Sequence, residues 1–592
     1  MPDLFSHYQQ KASNISIQIA GIDKKLTYAS LFRLCNFLLI VLSAYQLFYG
    51  FTIAKLMLLL LAIVGFLACI SWFVNLKKNK KRFRFLHEVI MNEWNTLQNH
   101  ANAFPDGQAF DTGESFWGDL DLFGKGGLYH HLNRTSTVYG ADALAHQLKY
   151  PLIDPVLISE AQKAIAQYSE QMILVEEIIA ASKENAVDFR SLYSVLDWLQ
   201  TDNKLHQLNW LKFILFAFPI LNILLIFQAI FYAELRWIGI SFLIGWILIA
   251  IFAKYLQTGF LMLSNKEQIL DQYAIILDLF SKVDAGKSTQ LQDYQQTTKE
   301  AVEAIKELSK LSSRIDQRLN ILIITFINPY FLFDLQNMLA LESWKMKYKN
   351  HFSLWIEVVG KIEVLNSFAS FAFKNKANIY PTISAEQLYL HAADMSHPLI
   401  PKNSRVSNSI EIGITEKLLL ITGSNMSGKT TFLRTLGINL LLAEVGLPVC
   451  ASRFDFTPMQ LFSSIRISDS LQENTSYFMA ELKKLKALKT GVQKEPASLV
   501  LIDEILRGTN SDDKYHGSAA FVKELIQYNC LSLFATHDLK LGEMEQEYPT
   551  FIANYCFESK IENDHLLFNY RIQRGVAQNK NASFLMKQMG II

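Results

Sequence analysis

Residues 418–435 read LLLITGSNMSGKTTFLRT. An apolar run, Leu418 to Ile421, meets a glycine-rich loop that fits G-x-x-x-x-G-K-[ST] from Gly423 through Gly428, Lys429 and Thr430. The residues after it are mostly helix formers with an apolar face. This strand–loop–helix order is what a phosphate-binding loop requires. Glycines let the backbone curl so that its N–H groups point inward at phosphate oxygens, and a helix N-terminus adds its positive dipole end. Gly423, Ser424, Asn425, Met426, Ser427, Gly428, Lys429, Thr430 and Thr431 are therefore the expected nucleotide-binding residues. Lys429 is placed to reach the β- and γ-phosphates of ATP, and the Thr430 hydroxyl to hold Mg²⁺.

Two further strands carry chemistry at their ends. LVLIDE, 499–504, is an apolar run closing on two carboxylates. Asp503 is expected to coordinate Mg²⁺ through water, and Glu504 to polarise the attacking water. LSLFATHD, 531–538, ends on Thr536 and His537. Alone, His537 reads as an ordinary strand-end histidine. Behind GKT and DE, in that order, it reads as a γ-phosphate sensor. Lys429, Glu504 and His537 are the expected catalytic set of an ATP-hydrolysing domain.

These motifs resemble the MutS family. GSNMSGKTTFLRTLGINLLLAEVG is similar to that family's G-P-N-M-G-G-K-S-T loop, with Asn425 and Met426 the telling pair. LVLIDEILRGTNSDDKYHG resembles D-E-[IL]-G-R-G-T-S-T-x-D-G through Arg507, Gly508 and Thr509, although Leu506 replaces a glycine and the segment before Gly517 is longer. NTSYFMAEL, Asn474 to Leu482, resembles R-S-T-F-M-V-E-M. The resemblance covers roughly residues 395–590. It implies an ABC-like ATPase that works as a homodimer, with Ser476 reaching the partner's γ-phosphate in trans. LNRTSTVYG and the following YPLID resemble the family's core and lever region, where Leu132, Asn133, Arg134, Thr135, Thr137 and Gly140, then Pro151, Leu152 and Asp154, are expected to build scaffold and do no chemistry.

The rest of the chain is set by its hydrophobicity. Half of the 592 residues are hydrophobic and 41 are Phe, while net charge is only +1, so no global basic bias draws nucleic acid. Five cysteines show no C-x-x-C spacing and read as small apolar residues of a reducing compartment. Residues 34–49 and 51–74 are apolar runs around Gly50, and 211–231 with 237–252 form a second pair. Each pair reads as a membrane hairpin. Lys24, Lys25 and Arg33 before the first pair and the basic cluster LKKNKKRFR after it place both ends in the cytoplasm, as do Lys204, Lys212 and Lys254 around the second.

The expected fold is thus α plus α/β. Its parts are an N-terminal segment (1–33), a first transmembrane hairpin (34–76), a basic linker helix (77–118), a core/lever part (119–209), a second hairpin (210–256), a helical lever part (257–394) and a C-terminal P-loop ABC-like ATPase domain (395–592). Four spans keep that domain on the cytoplasmic side of a membrane. Residues 258–375 read as helical throughout, with a long amphipathic stretch over 292–325, and the chain closes on a strand (565–575) and a helix (NASFLMKQMGII). No F-x-E wedge of the kind that kinks DNA stands in a soluble N-terminal domain. DNA stays open as a partner, then, while mismatch reading is in doubt. The competing expectation is an ABC-type mechanochemical ATPase that acts on the membrane or in transport without DNA; no LSGGQ-like segment supports it.

Overall fold

The computed structural model describes residues 4–578 apart from 99, 112–115, 185–189, 233–234, 319, 322, 385–386, 425, 467–476, 507–508 and 563–564. It is a mixed structure, helical up to Lys374 and α/β beyond.

Two 45-residue helices, Leu4–Phe48 and Ile53–Leu97, form an antiparallel pair around a turn at Gly50. Each joins an apolar half to a polar half without a break. The helix runs through 33–34 and 76–77 because no glycine or proline stands there to stop it. The apolar halves are exposed, with Phe37, Leu38, Leu61 and Leu67 among the bare side chains. The polar halves carry ion pairs: Lys80 with Asp23 at 2.6 Å, Arg82 with Glu177 at 2.9 Å, and Lys11 with Glu176. Much of the basic cluster is therefore engaged with the protein's own carboxylates. Glu93, near the end of the second helix, is fully buried between Arg134 and Lys374, the latter at 2.6 Å. This cluster ties the helix Ile53–Leu97 to Arg134 and to the end of the 42-residue helix Phe333–Lys374.

Two residues of the 132–154 region cap helices. Thr137 caps the helix Val138–Lys149 by accepting from Gly140 N, and its hydroxyl donates to Glu363 at 2.5 Å. Asp154 caps Pro155–Ser169 through Val156 N and Leu157 N.

Among the described residues, three helices are long and apolar enough to cross a membrane: Leu4–Phe48, Ile53–Leu97 and Asn209–Tyr232. The expected fourth span is a bent pair, Arg236–Ile251 and Ala253–Leu263, with a 68° turn at Phe252. The lever region also departs from a continuous helical reading. The helix Thr289–Gln317 stops short of 325, a π-helical turn follows at Ile323–Ile327, and the 42-residue helix Phe333–Lys374 starts after Leu332. Pro329 and the left-handed backbone of Leu332 (φ 52°) make the break, and the polar face of the amphipathic run is lost there.

The described residues beyond Lys374 include ten strands: β1 (Thr382–Ile383), β2 (Leu390–Met395), β3 (Asn408–Ile412), β4 (Leu418–Gly423), β5 (Arg453–Phe456), β6 (Gln460–Ser464), β7 (Ser498–Asp503), β8 (Cys530–Thr536), β9 (Ile552–Glu562) and β10 (His565–Arg574). A four-stranded sheet has the order β1-β5-β2-β3, and a six-stranded sheet the order β10-β9-β4-β8-β7-β6. In the larger sheet every pairing is parallel except β9 with β10. β4, β7 and β8 are buried along their whole length, as apolar parallel strands covered on both faces must be. Register pairs Thr422 with Thr536 and Asp503 with Ala535. The three chemistry-bearing strands thus end level with one another at the carboxyl edge of the sheet, where open α/β sheets bind ligands.

Candidate nucleotide site

At that edge the loop after β4 turns back over its own strand. Gly428 has φ 109°, which only glycine takes without strain, and Gly423 lies so close to Phe557 that an added Cβ would come 2.8 Å from its carbonyl oxygen. The helix Lys429–Glu444 then starts with its amide groups facing a cavity of about 570 Å³. Met426, Ser427, Gly428, Lys429, Thr430 and Thr431 line it from the loop, Asp503, Glu504 and His537 from the ends of β7 and β8. Of the expected binding residues, Gly423 and Ser424 form the loop's base, and Asn425 lies outside the described residues. So do Ser476, Arg507, Gly508 and the closing helix.

Several polar groups of the site pair with one another, while the Ser424 and Ser427 hydroxyls are buried without a hydrogen-bond partner among the described residues. Thr430 Oγ1 donates to Asp503 Oδ2 at 2.6 Å. Lys429 Nζ donates to Gly423 O at 2.8 Å and Ser424 O at 2.9 Å, and stands 3.4 Å from His537 Nε2. Burial first, then the charge of Lys429, holds the His537 imidazole below its usual pKa, against the opposing pull of Glu504 and Asp503. A neutral Nε2 can then accept from Lys429 or from a ligand. Glu504 sits in a left-handed backbone (φ 58°), which swings its side chain off the strand line and into the cavity. Its carboxylate contacts Lys514, one turn into the helix Ser511–Leu525.

Two features were not legible from the motifs. Lys514 lies beyond the acidic pair, in the segment where the chain departs from the family pattern. Tyr570 reaches the cavity from β10, where a register shift between Phe568 and Ile572 and hydrogen bonds to Asn408 turn the strand inward. Tyr570, Gly428 and Thr431 also wall a second cavity of about 300 Å³, lined by Met395, His397, Arg405 and Phe432. A polar chamber beside a more apolar one suits a ligand with an anionic end and a planar end. The core block abuts this region: Asp121 contacts Arg434 at 2.7 Å on the loop's own helix, and Asp119 accepts from Lys484, Ser463 and the backbone of Ile465 and Arg466.

Thr430 and Asp503 offer hard oxygen donors side by side. That donor set suits Mg²⁺, which binds few protein ligands and completes its shell with water and phosphate oxygens.

Residues 419–588 match the family model of MutS domain V. The chain is 29% identical over 252 residues to the DNA mismatch repair protein MutS of Thermotoga maritima, covering 41% of this chain and 31% of that protein. It is 33% identical over 195 residues to MutS protein homolog 4 of Mus musculus, covering 31% of this chain and 20% of that protein. The human MutS protein homolog 4 is 31% identical over 195 residues. The chain spans less than a third of the length of these relatives.

Proposed function

We propose, from the match of residues 419–588 to MutS domain V, that this chain is a membrane-anchored, dimeric ATPase whose helical levers move with ATP binding and hydrolysis. The observation that carries this reading is the Thr430–Asp503 hydrogen bond in a cavity that also holds Lys429, Glu504 and His537.

In this reading the loop amides and Lys429 bind the β- and γ-phosphates, exchanging the Gly423 and Ser424 carbonyls for phosphate oxygens. The base and ribose lie toward the cavity walled by Phe432, Met395 and Tyr570. Thr430 and Asp503 hold Mg²⁺, which neutralises phosphate charge when bound. Glu504 orients the water for in-line attack, and His537 contacts the γ-phosphate or that water. Ser476 completes the site of the partner copy in trans. The exposed apolar halves of the first hairpin and the helix Asn209–Tyr232 sit in a bilayer, with the ATPase domain on the cytoplasmic side.

DNA is the proposed cargo of the levers, since the relatives are named for DNA mismatch repair. The test is the ATPase rate of purified protein in vesicles at low salt, with homoduplex, mismatched duplex or none. Stimulation that weakens steeply with salt supports a DNA clamp. A mismatch-specific increment would restore mismatch reading. A rate indifferent to DNA would instead couple the ATPase to the membrane helices alone.

A further inference from the structure

The lever helices Thr289–Gln317 and Phe333–Lys374 run side by side and are joined by residues 318–332. Such a joint in a water-soluble lever should be short and polar. This one reads NILIITFINPYFLF over 320–333. Ile321 is 74% exposed, Phe326 58% and Ile327 43%.

The joint packs on the second hairpin midway along its helices. Asn222 Nδ2 donates to Tyr330 O at 3.0 Å, while Asn222 Oδ1 accepts from Ser241 at 2.5 Å. Asn222 lies ~20 Å along the helix Asn209–Tyr232 at 1.5 Å per residue. Gly245, past the middle of Arg236–Ile251, touches Pro329 so closely that an added Cβ would stand 1.8 Å from its carbonyl oxygen. The Phe242 and Tyr330 rings lie 5.4 Å apart. The joint is therefore at the level of the hairpin's centre. The helix Arg236–Ile251 has 16 residues and spans ~24 Å, short of the ~30 Å hydrocarbon layer.

Asn328 and Arg318 pair with Asp334 at the base of the joint. Asn328 donates to Asp334 Oδ2 and accepts from Asp334 N, both at 2.9 Å. Arg318 closes the neck on Asp334 at 2.8 Å. Irregular backbone at membrane depth is tolerated only where protein covers its polar groups, and here Asn222 and Asn328 do so. An apolar run of this length is too short to span a bilayer but suits one that enters and returns.

We propose that residues 320–333 form a re-entrant segment inserted in the bilayer against the second hairpin, so that the tips of the lever helices are seated in lipid. The occupant of the face presented by Ile321, Phe326 and Ile327 is acyl chain, continuous with the apolar surface of the hairpin the joint packs on. This rests on the membrane reading of that hairpin. It makes the levers part of the membrane domain, and lever movement a displacement within the bilayer.

The experiment attaches nitroxide spin labels to F326C and I321C in the full chain, with Cys35 and Cys69 changed to serine, in phosphatidylethanolamine–phosphatidylglycerol vesicles. I321C is the second reporter should F326C fail to accumulate. Relaxation by oxygen, which partitions into lipid, is compared with relaxation by a water-soluble nickel chelate. F216C on the hairpin and K310C on the exposed lever are the references. The expected result is oxygen exceeding nickel severalfold at 326 and 321, as at 216, and the reverse at 310. Nickel exceeding oxygen at 326 and 321 while 216 stays lipid-facing would overturn the proposal and leave the hairpin in the membrane. Low access to both reagents would mean that protein, such as a second copy, covers the tip, and would also overturn it. Nickel access at 216 would remove the membrane reading itself.

Discussion

The Thr430 hydroxyl donates a 2.6 Å hydrogen bond to the Asp503 carboxylate, joining the helix after β4 to the end of β7 across the intervening β8. Neither residue is near the other in sequence. Level strand ends in a parallel sheet bring them together.

Thr430→Ala removes one hard oxygen donor beside Asp503. A group that holds or orients a bound metal is worth about 10–100-fold in metal affinity, so Mg²⁺-dependent binding of a fluorescent ATP analogue should weaken about tenfold or more. Chelating Mg²⁺ should weaken wild type to the same level and change the variant little. Equal Mg²⁺ dependence in both proteins would separate Thr430 from the metal.

Lys514 pairs with the Glu504 carboxylate, and both side chains are partly exposed. Glu504 must leave this partner to orient water. Lys514→Ala should therefore raise kcat with little change in KM, by up to about fivefold, since exposed ion pairs are worth at most about 1 kcal/mol. A fall in kcat would instead make Lys514 a group that positions Glu504.

Glu93 is buried between two cations, which outweigh burial and hold its pKa down at about 2. Glu93→Gln leaves Arg134 and Lys374 buried without an anion. Breaking a buried pair in this way costs about 3–5 kcal/mol. The thermal midpoint in detergent should drop well below that of a surface control such as Lys310→Gln, and equal midpoints would contradict the assignment.

His131 packs beside this cluster, its ring 6.1 Å from Phe371. Burial first, then the charges of Lys374 and Arg134, push its pKa down from 6.5 to about 3. The unfolded chain takes up this proton near its ordinary pKa while the folded chain refuses it. The associated stability is complete above pH 6.5 and drains away as pH falls toward 3. His131→Asn should lose less of its thermal midpoint than wild type between about pH 7.5 and pH 5. An identical loss in both would contradict this.

The strand-end motifs were legible because their chemistry is local. An apolar run followed by GKT or DE states both the strand and the group at its end, and parallel pairing does the rest. The MutS resemblance was legible in the same residues, and the match over 419–588 agrees with it. Tyr570 was not legible, because a bulge and Asn408 turn it into the cavity from a distant strand. Lys514 was hidden where the segment diverges. The lever break was missed because Ile321 to Phe331 continues a helical apolar spacing, while Pro329 and Leu332 set the stop. The bend at Phe252 has no glycine or proline beside it to mark it, and Ala253–Leu263 packs on the helices Arg190–Gln200 and Phe333–Lys374.

The central claim is that Glu504 orients water on ATP held by Lys429 and Thr430. The direct test is single-turnover hydrolysis by Glu504→Gln alongside its binding of a fluorescent ATP analogue. The account predicts binding close to wild type and hydrolysis reduced by about 10²–10⁴, the usual worth of a positioned general base. Hydrolysis at the wild-type rate would contradict it.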